Sequence, residues 1–329
     1  LHGKALHRYA KNLFEIMTDV VSSPDFSDTK RIKEIILKHY TALQTSFNQN
    51  ALKYAINLSG SGLNEAGFIV NEWYGLHYYE YIEKMALHLN ENIDSICHQL
   101  KEVQHQVLCL KDKELVITSD EPMYHYLKEN KFYGLQDLKA NPYNPWKMNF
   151  TIPPVHSQAR TIAAPIAFIG KVFKTIPYCH EDAAVLSISS FLFDNIVIHQ
   201  KVREQGGAYG GGAVCNALAG TYYFYSYRDP NIATTLQAFS HAIDEIANGN
   251  FDEDDLEEAK LEMIQGLDAP VSPGSRGFVA YCWKKEGKTE ELKQKFKTRV
   301  LTLTKQDVMD AVNKHIKPQF EQGKTIIFA

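Results

Sequence analysis

The most conspicuous chemical feature of the sequence is a glycine-rich stretch flanked by two long hydrogen-bond donors. Five glycines fall within the seven residues 206–212, Tyr209 interrupts them, and Arg203 lies three residues before the first. Glycines allow a positive φ and a close approach of the backbone to a ligand. An arginine and a tyrosine on such a loop can donate hydrogen bonds to a peptide carbonyl, or to the oxyanion formed when that carbonyl is attacked. The residues alone favour a plainer alternative, a structural turn with an ordinary ion-pairing arginine.

Other kinds of catalytic or binding site fit the sequence less well. The glycine stretch lacks the G-K-[ST] of a P-loop and does not open a helix after a strand, so it does not match a nucleotide-binding fingerprint. A G-x-S-x-G nucleophile elbow is absent from the sequence, and its five cysteines form no C-x-x-C pair. A zinc peptidase motif needs two histidines one helical turn apart beside a glutamate. Three His/Glu pairs begin such a motif and lack its second histidine: His77 with Glu80, His88 with Glu91, and His180 with Glu181. We therefore expect no metal site in this chain.

Composition narrows the classes of partner. The chain has 329 residues, enough for two domains, with 22% charged residues and a net charge of −4. This balance provides no basic surface for nucleic acid. No apolar run reaches the roughly 18 residues of a membrane span, so we expect no membrane partner. The cysteines are odd in number and widely spread, which favours a reducing, intracellular compartment.

Two parts of the chain share one order of predicted elements, which indicates an internal repeat. In the second half, a strand-like run at 221–227 leads into a helical pattern from Ile232, a break at 248–250 and a capped acidic helix start at Asp252. The first half repeats the helix, the break and the capped start at residues 13–20, 22–24 and 27–28. The tails also agree, each with a helix, a turn and a strand: 93–107, 111–113 and 114–118 in the first copy, and from 306, 322–324 and 325–328 in the second.

The repeat predicts an α+β fold of two related α/β domains. The second copy has about sixty residues of strand and helix before its Tyr-rich strand, including an apolar run at 164–172 and a helix over 181–200, whereas the first has almost nothing before Arg8. We therefore expect an incomplete first domain over residues 1–140 that begins upstream of Leu1. A Pro- and Asn-rich linker follows over 141–160, and the second domain, which carries the glycine loop, spans 161–329.

Two motifs carry a resemblance to a known family. The stretch V-R-E-Q-G-G-A-Y-G at 202–210 and the stretch Y-S-Y-R-D-P-N at 225–231 are similar to the C-terminal half of presequence proteases. These are zinc metallopeptidases related to pitrilysin and the insulin-degrading enzyme. The similarity continues through T-I-P-Y at 175–178 and L-D-A-P-V-S-P at 267–273, and more weakly through the opening helices.

The resemblance implies a fold and a role for this chain. The fold would be two related α/β domains of the LuxS/metallohydrolase-like kind, each a mostly antiparallel sheet with helices packed on one face. In the family, two homologous halves close around an unfolded peptide, and the N-terminal half holds zinc through H-x-x-E-H and a distant glutamate. The C-terminal half lends an arginine and a tyrosine, which correspond here to Arg203 and Tyr209, with Gly206 and Gly207 beside the substrate.

The same resemblance defines the expected partners and leaves one alternative open. The partners would be the N-terminal catalytic half of the same polypeptide and unstructured peptide substrates, and zinc would belong to that missing half. The compartment would be a bacterial cytoplasm or an organelle matrix, and this chain alone would be inactive. The alternative is a non-catalytic scaffold subunit of the same fold, because relatives of these peptidases have become structural subunits.

Overall fold

The computed structural model describes residues 1–108, 114–135 and 151–329, which divide into two compact units. The first unit comprises Leu1–Tyr40, the described part of Glu83–Phe150, and Val271–Lys285. The second comprises Thr41–Ile82, Thr151–Pro270 and Glu286–Ala329. The turn expected at 111–113 and most of the expected linker lie outside the described residues. The sequence predicts two consecutive domains with boundaries near residues 140 and 160, and these boundaries stay a prediction.

Helices dominate both parts of the chain. In residues 1–135 they are α1 Ala10–Ser22, α2 Thr29–Gln49, α3 Leu52–Gly60, α4 Glu65–Tyr74, α5 Leu76–Leu87, α6 Leu89–Leu108 and α7 Glu121–Glu129. In residues 151–329 they are α8 Ala183–Leu192, α9 Ile232–Ala247, α10 Glu253–Leu267, α11 Arg276–Glu286, α12 Glu290–Thr302, α13 Lys305–Ala311 and α14 Lys317–Phe320. Two π-helical segments, Phe193–Gln205 and Val312–Ile316, continue α8 and α13.

The strands of the described residues form one sheet in the second unit. They are β1 Gln158–Arg160, β2 Ala167–Lys174, β3 Gly210–Asn216, β4 Thr221–Asp229 and β5 Lys324–Phe328, in the spatial order β1-β5-β2-β4-β3. β2–β4, β2–β5 and β3–β4 pair antiparallel, and β1–β5 pair parallel. The α+β class and the mostly antiparallel sheet are therefore confirmed.

The described part of the first unit is built from helices whose apolar residues recur every three or four positions. On α6, Leu89, Ile93 and Ile96 are buried together with Ile32 of α2. The Asp28 carboxylate accepts a 2.9 Å hydrogen bond from the Arg31 N–H, which starts α2 at the predicted cap. The predicted helices over 13–20 and 93–107 are confirmed by α1 and α6.

The strand predicted over residues 114–118 is wrong. These residues form neither helix nor strand, and no strand forms in residues 1–108 or 114–135. Leu115 and Val116 are exposed, and the Glu114 carboxylate instead accepts hydrogen bonds from Tyr281 and, at 2.8 Å, from Lys285. A short apolar run can predict one strand, but it does not supply the partner strand with which the backbone of that strand must pair. The sheet expected in the first copy is therefore not formed by the described residues.

The predicted Tyr-rich strand is confirmed as β4, which lies inside the sheet between β2 and β3. Tyr222, Phe224 and Ser226 are buried, whereas the tyrosines between them are half-buried. On β2, Ile169 and Phe173 join the main hydrophobic core beneath the helices. The covering of the sheet is more extensive than expected, because α3 packs on the opposite face of β2. There a side chain at Gly170 would come within 3.1 Å of the backbone of α3, so only glycine fits without a shift.

The central helix of the second unit is Ala183–Gln205. Nearly every side chain of α8 is buried, which is typical of a helix surrounded by core. Of the described residues, this helix alone is long and apolar enough to cross a membrane by length and composition, and 67% of its most apolar window is buried inside the unit. Its burial against the sheet accounts for its hydrophobicity.

A buried carboxylate joins this helix to strand β3. Asp194 Oδ1 accepts a 2.6 Å hydrogen bond from the Ala213 N–H. A side chain at Gly212 would lie 2.9 Å from both Asp194 Oδ2 and the Tyr225 hydroxyl, so only glycine lets β3 approach this closely. Burial is the main reason that the pKa of Asp194 rises to about 7; the hydrogen bond from Ala213 opposes this rise, and the charge of Glu262 adds to it.

This carboxyl makes stability depend on pH. Because its pKa is higher in the folded than in the unfolded chain, the folded state binds an extra proton between about pH 4 and about pH 7. The free energy of unfolding should fall across this window, by up to about 1.4 kcal/mol per pH unit from this group, and level off above it. Asp194→Asn should flatten that slope in urea titrations at several pH values. Asp310→Asn, on an exposed surface, serves as control, and equal slopes for Asp194→Asn and wild type would refute the assignment.

Candidate functional site

The glycine loop is shorter than the sequence predicts. The helical segment ends at Gln205, and β3 begins at Gly210, which pairs with Tyr227. Gly210, Gly211 and Gly212 therefore belong to a strand, and only residues 206–209 form the loop. The expectation of seven loop residues is wrong at these three glycines because antiparallel pairing with β4 stabilises their extended backbone.

Gly206 and Gly207 close the C-terminal end of the helix. Gly207 has a φ of +76°, a left-handed conformation that favours glycine. A side chain at Gly206 would come within 2.6 Å of the Val202 carbonyl oxygen. The Gly207 and Ala208 N–H groups donate to the carbonyls of Arg203 and Val202 at 3.0 and 3.1 Å. These two glycines are therefore required by the backbone of the helix end.

The side chain of Arg203 is exposed at this helix end. Within residues 1–108, 114–135 and 151–329, its guanidinium makes no ion pair or hydrogen bond. An unpaired guanidinium keeps all five donors available for a carbonyl, a carboxylate or an oxyanion. In the described part of the chain, Arg203 is therefore not the ordinary ion-pairing arginine of the plainer alternative.

Tyr209 is also exposed, at 68% of its surface, although its backbone is fixed. Its N–H donates to the Arg228 carbonyl at 3.3 Å, and its ring lies 5.9 Å from that of Tyr227 at an interplanar angle of 71°. The Arg228 guanidinium lies 6.0 Å from the Tyr209 ring centre and 5.4 Å from that of Tyr227. The phenol therefore extends into solvent from a ring held by a neighbouring tyrosine and a cation.

The turn after β4 holds the loop from the other side. The side-chain Nδ2 of Asn231 donates a hydrogen bond to the Gly206 carbonyl at 2.6 Å. Asn231 is itself positioned by the buried carboxylate of Asp229, which accepts hydrogen bonds from the Asn231 N–H at 2.7 Å and the Thr235 hydroxyl at 2.6 Å. The R-D-P-N motif thus fixes the backbone of the glycine loop.

Arg228 is a residue of this site that the sequence reasoning quoted but gave no role. Its φ of +53° is unusual for a residue with a side chain. The Asp229 hydrogen bonds and the pairing of β4 hold this conformation. An arginine directly after the Tyr-rich strand is the one signal in the sequence that points to Arg228. The closeness of Arg228 to Tyr209 depends on the register of the strands, which the sequence does not show.

The side chains of the three incomplete zinc motifs make ion pairs and hydrogen bonds in the structure. His77 contacts Glu72, and Glu80 accepts a 2.9 Å hydrogen bond from Arg160. His88 and Glu91 are exposed and lie 3.6 Å apart. His180 does not pair with Glu181. It lies near Asp182 and His315, a combination that the sequence analysis missed because the two histidines are 135 positions apart.

A cavity of about 720 Å³ lies elsewhere in the second unit. It is lined by residues of the turn before α8 and of α12, including the stacked rings of Tyr178 and Phe296. Arg203 and Tyr209 do not line it. Cys179, at its wall, is one of four free cysteines among the described residues, and Cys109 lies outside them.

Relatives of known sequence cover nearly the whole chain. The mitochondrial presequence protease of Yarrowia lipolytica is 25% identical over 319 residues, which are 96% of this chain and 32% of that protein. The mitochondrial presequence protease of Gibberella zeae is 27% identical over 329 residues, covering 98% of this chain and 32% of that protein. The chain therefore spans about a third of the length of the curated relatives it matches.

Solved structures share the fold at lower identity. Pitrilysin aligns with 98% of this chain and 33% of its own, with a TM-score of 0.61 and 16% identity. The peptidase M16 inactive domain from Pseudomonas fluorescens aligns with 96% of this chain and 73% of its own, with a TM-score of 0.59 and 15% identity. At these identities the similarity shows the fold alone.

Two family descriptions match the sequence directly. A peptidase-associated region of the M16 type matches residues 1–85. The description "PreP C-terminal domain" matches residues 160–329, which hold the helix, the glycine loop and the sheet described above. Because this match covers more than half of the sequence, the chain belongs to the PreP C-terminal domain family.

Proposed function

We propose that this chain is the C-terminal half of a metalloendopeptidase that degrades unstructured peptides in a closed chamber, the half that does not hold the catalytic zinc. The observation that supports it most directly is a pair of exposed donors, Arg203 and Tyr209, that flank one short loop in a chain of this family and make no side-chain hydrogen bond within the described residues. Two such donors can bind the backbone of an extended peptide or the charge that develops on an attacked carbonyl. The partner of this chain would be the N-terminal catalytic half of the same polypeptide.

The glycine loop supports this role through rigidity. Gly206 and Gly207 allow the chain to leave the helix and enter β3 within four residues, and Asn231 holds the Gly206 carbonyl. Donors on a preorganised backbone lose little conformational entropy when substrate arrives. Gly206 and Gly207 would lie beside the substrate, where the absence of side chains leaves room for a peptide.

The zinc ion of such a peptidase would be held outside this chain. None of the histidines in the printed sequence has a second histidine one helical turn away beside a glutamate, so the residues do not fit that catalytic centre. When bound in the other half, zinc would lower the pKa of a water molecule and polarise the carbonyl. The part of this chain is to bind and orient the peptide.

The named relatives support a compartment and a substrate class. Those that match are mitochondrial presequence proteases, and we propose an organelle matrix for this chain, with a bacterial cytoplasm as the alternative. Free cysteines among the described residues agree with a reducing setting. A chamber that closes on an extended peptide would exclude folded proteins.

The first test removes the two donors in the longer protein that contains this chain. Arg203→Ala and Tyr209→Phe should each lower kcat/KM for an unstructured peptide on the order of 10²–10³-fold, as loss of one oxyanion donor does. Catalytic zinc should stay bound, because neither side chain is a ligand of that metal in the proposal.

Matched controls separate these roles from general surface effects. Lys201→Ala removes an exposed cation from the same helix, and Tyr81→Phe removes an exposed phenol elsewhere in the unit. Both controls should retain wild-type kinetics. Near-wild-type kcat/KM for both Arg203→Ala and Tyr209→Phe would exclude them from the site. A zinc-loaded longer protein with no peptide hydrolysis at all would favour the scaffold alternative.

A second test addresses the rigidity of the loop. Asn231→Ala removes the hydrogen bond to the Gly206 carbonyl and should lower kcat/KM about tenfold, because misplaced donors lose much of their effect. Asn248→Ala, in an exposed turn, is the control. Unchanged kinetics in Asn231→Ala would show that the loop does not need this contact.

A third test concerns the chain by itself. Since the catalytic metal motif is absent from its sequence, the 329-residue chain should not hydrolyse peptides. Mixing it with the separately produced N-terminal half should restore hydrolysis if the halves associate. Metal-dependent hydrolysis by the isolated chain would contradict the proposed division of roles.

A further inference from the structure

Three side chains from distant parts of the sequence converge in the second unit, away from the glycine loop. One ligand atom each of His180, Asp182 and His315 lies within 4.8 Å of the others. His315 Nε2 is 2.8 Å from Asp182 Oδ2, and His180 Nδ1 is 3.9 Å from the same oxygen. The side chains of Asp182 and His315 are only 17% and 13% exposed, and that of His180 is 31% exposed. The cluster is therefore partly shielded from solvent but open on the side of His180.

Local backbone structure directs these side chains toward one another. Asp182 is the N-cap residue of α8, yet its carboxylate caps none of the free N–H groups there. An aspartate at an N-cap ordinarily accepts such a hydrogen bond, so this carboxylate forgoes a stabilising local contact in favour of His315. His315 lies in the π-helical segment Val312–Ile316, and such segments are frequent at functional sites because they redirect side chains.

The hydrogen bonds within the cluster identify the atoms that a bound cation would contact. The Asp182 N–H donates to His180 Nδ1 at 3.0 Å, so this nitrogen carries a lone pair rather than a proton. Asp182 Oδ2 lies 2.8 Å from His315 Nε2 and 3.5 Å from Lys314 Nζ. A metal ion would therefore replace the Asp182 N–H at the His180 lone pair, and the direct contact between Asp182 and His315 would become two bonds to the metal.

We propose that His180, Asp182 and His315 form a binding site for a divalent transition metal ion, with zinc as the best match. Two imidazole nitrogens and one carboxylate oxygen are ligands that zinc accepts, whereas magnesium and calcium prefer oxygen alone. Ligands of a tetrahedral zinc lie about 3.3 Å apart, since each bond is about 2.0–2.1 Å long. The observed separations require shifts of about 1 Å or less at two of the three contacts.

The residues around the cluster provide an access route for a metal ion and a cation that competes with it for Asp182. His180 also lines the cavity of about 720 Å³, through which a hydrated ion can reach the cluster. Lys314 lies 3.5 Å from Asp182 Oδ2, and its side chain is 60% exposed, so it can turn into solvent when a metal replaces its charge. The site would leave one coordination position for water or for a ligand in the cavity.

The experiment compares bound zinc between variants that differ only at this cluster. Wild type, His315→Ala and Asp182→Asn are equilibrated with about 10 µM free zinc, freed of unbound metal and analysed by atomic emission. Wild type should hold about one zinc per chain more than either variant, whether the 329-residue chain or the longer protein is used. Zinc bound elsewhere cancels in this difference. His241→Ala, an exposed histidine 3.8 Å from Glu245, should match wild type.

Three outcomes overturn the proposal. Equal zinc in wild type and both variants would show that the cluster is an ion-pair network only. Loss of zinc in His241→Ala to the same extent would show non-specific uptake by histidines. A hundredfold excess of magnesium should not displace the zinc, and displacement would contradict the nitrogen ligands. Asp182→Asn keeps the size of the side chain, so its loss of zinc does not depend on tolerance of the smaller alanine at His315.

Discussion

Strand β3 can lie against the helical segment Phe193–Gln205 because Gly211 and Gly212 have no side chains to separate them. At Gly212 the available space is already taken by Asp194 and Tyr225, and at Gly211 a side chain would come within 3.0 Å of Val202. This close approach lets the Asp194 carboxylate reach the Ala213 N–H, so the strand and the helix are tied at a buried point. The position of the loop between them follows from that constraint.

The loop is then defined from both ends. On one side the helix ends in a left-handed glycine, and on the other β3 pairs at once with β4. Asn231 adds a third attachment through the Gly206 carbonyl. A segment held in this way fixes the backbone that carries Arg203 and Tyr209 while their side chains face solvent. The glycines in this loop allow a fixed backbone conformation and do not make the loop flexible.

The second unit combines this loop with a histidine cluster that serves a different chemistry. Asp194 is buried with no ion pair among the described residues, and burial raises its pKa, whereas Asp182 lies beside His315 and Lys314, which lower its pKa. Two aspartates on one continuous helix therefore differ in charge near neutral pH because of their surroundings alone. One carboxyl ties strand to helix, and the other is poised to bind a cation.

The sequence by itself determined the helices, the Tyr-rich strand, the α+β class and the motifs that place the chain in its family, because these depend on local periodicity and on short runs of residues. It also predicted Arg203 and Tyr209 as candidate donors, whose catalytic role stays a proposal. It failed at residues 114–118, where the repeat indicated a strand but no partner strand is present in the described part of the chain. Only the tertiary structure decided that Gly210, Gly211 and Gly212 extend a strand, that Arg228 lies beside Tyr209, and that His315 reaches Asp182. These facts depend on register and on contacts between residues far apart in the chain, which local pattern does not encode.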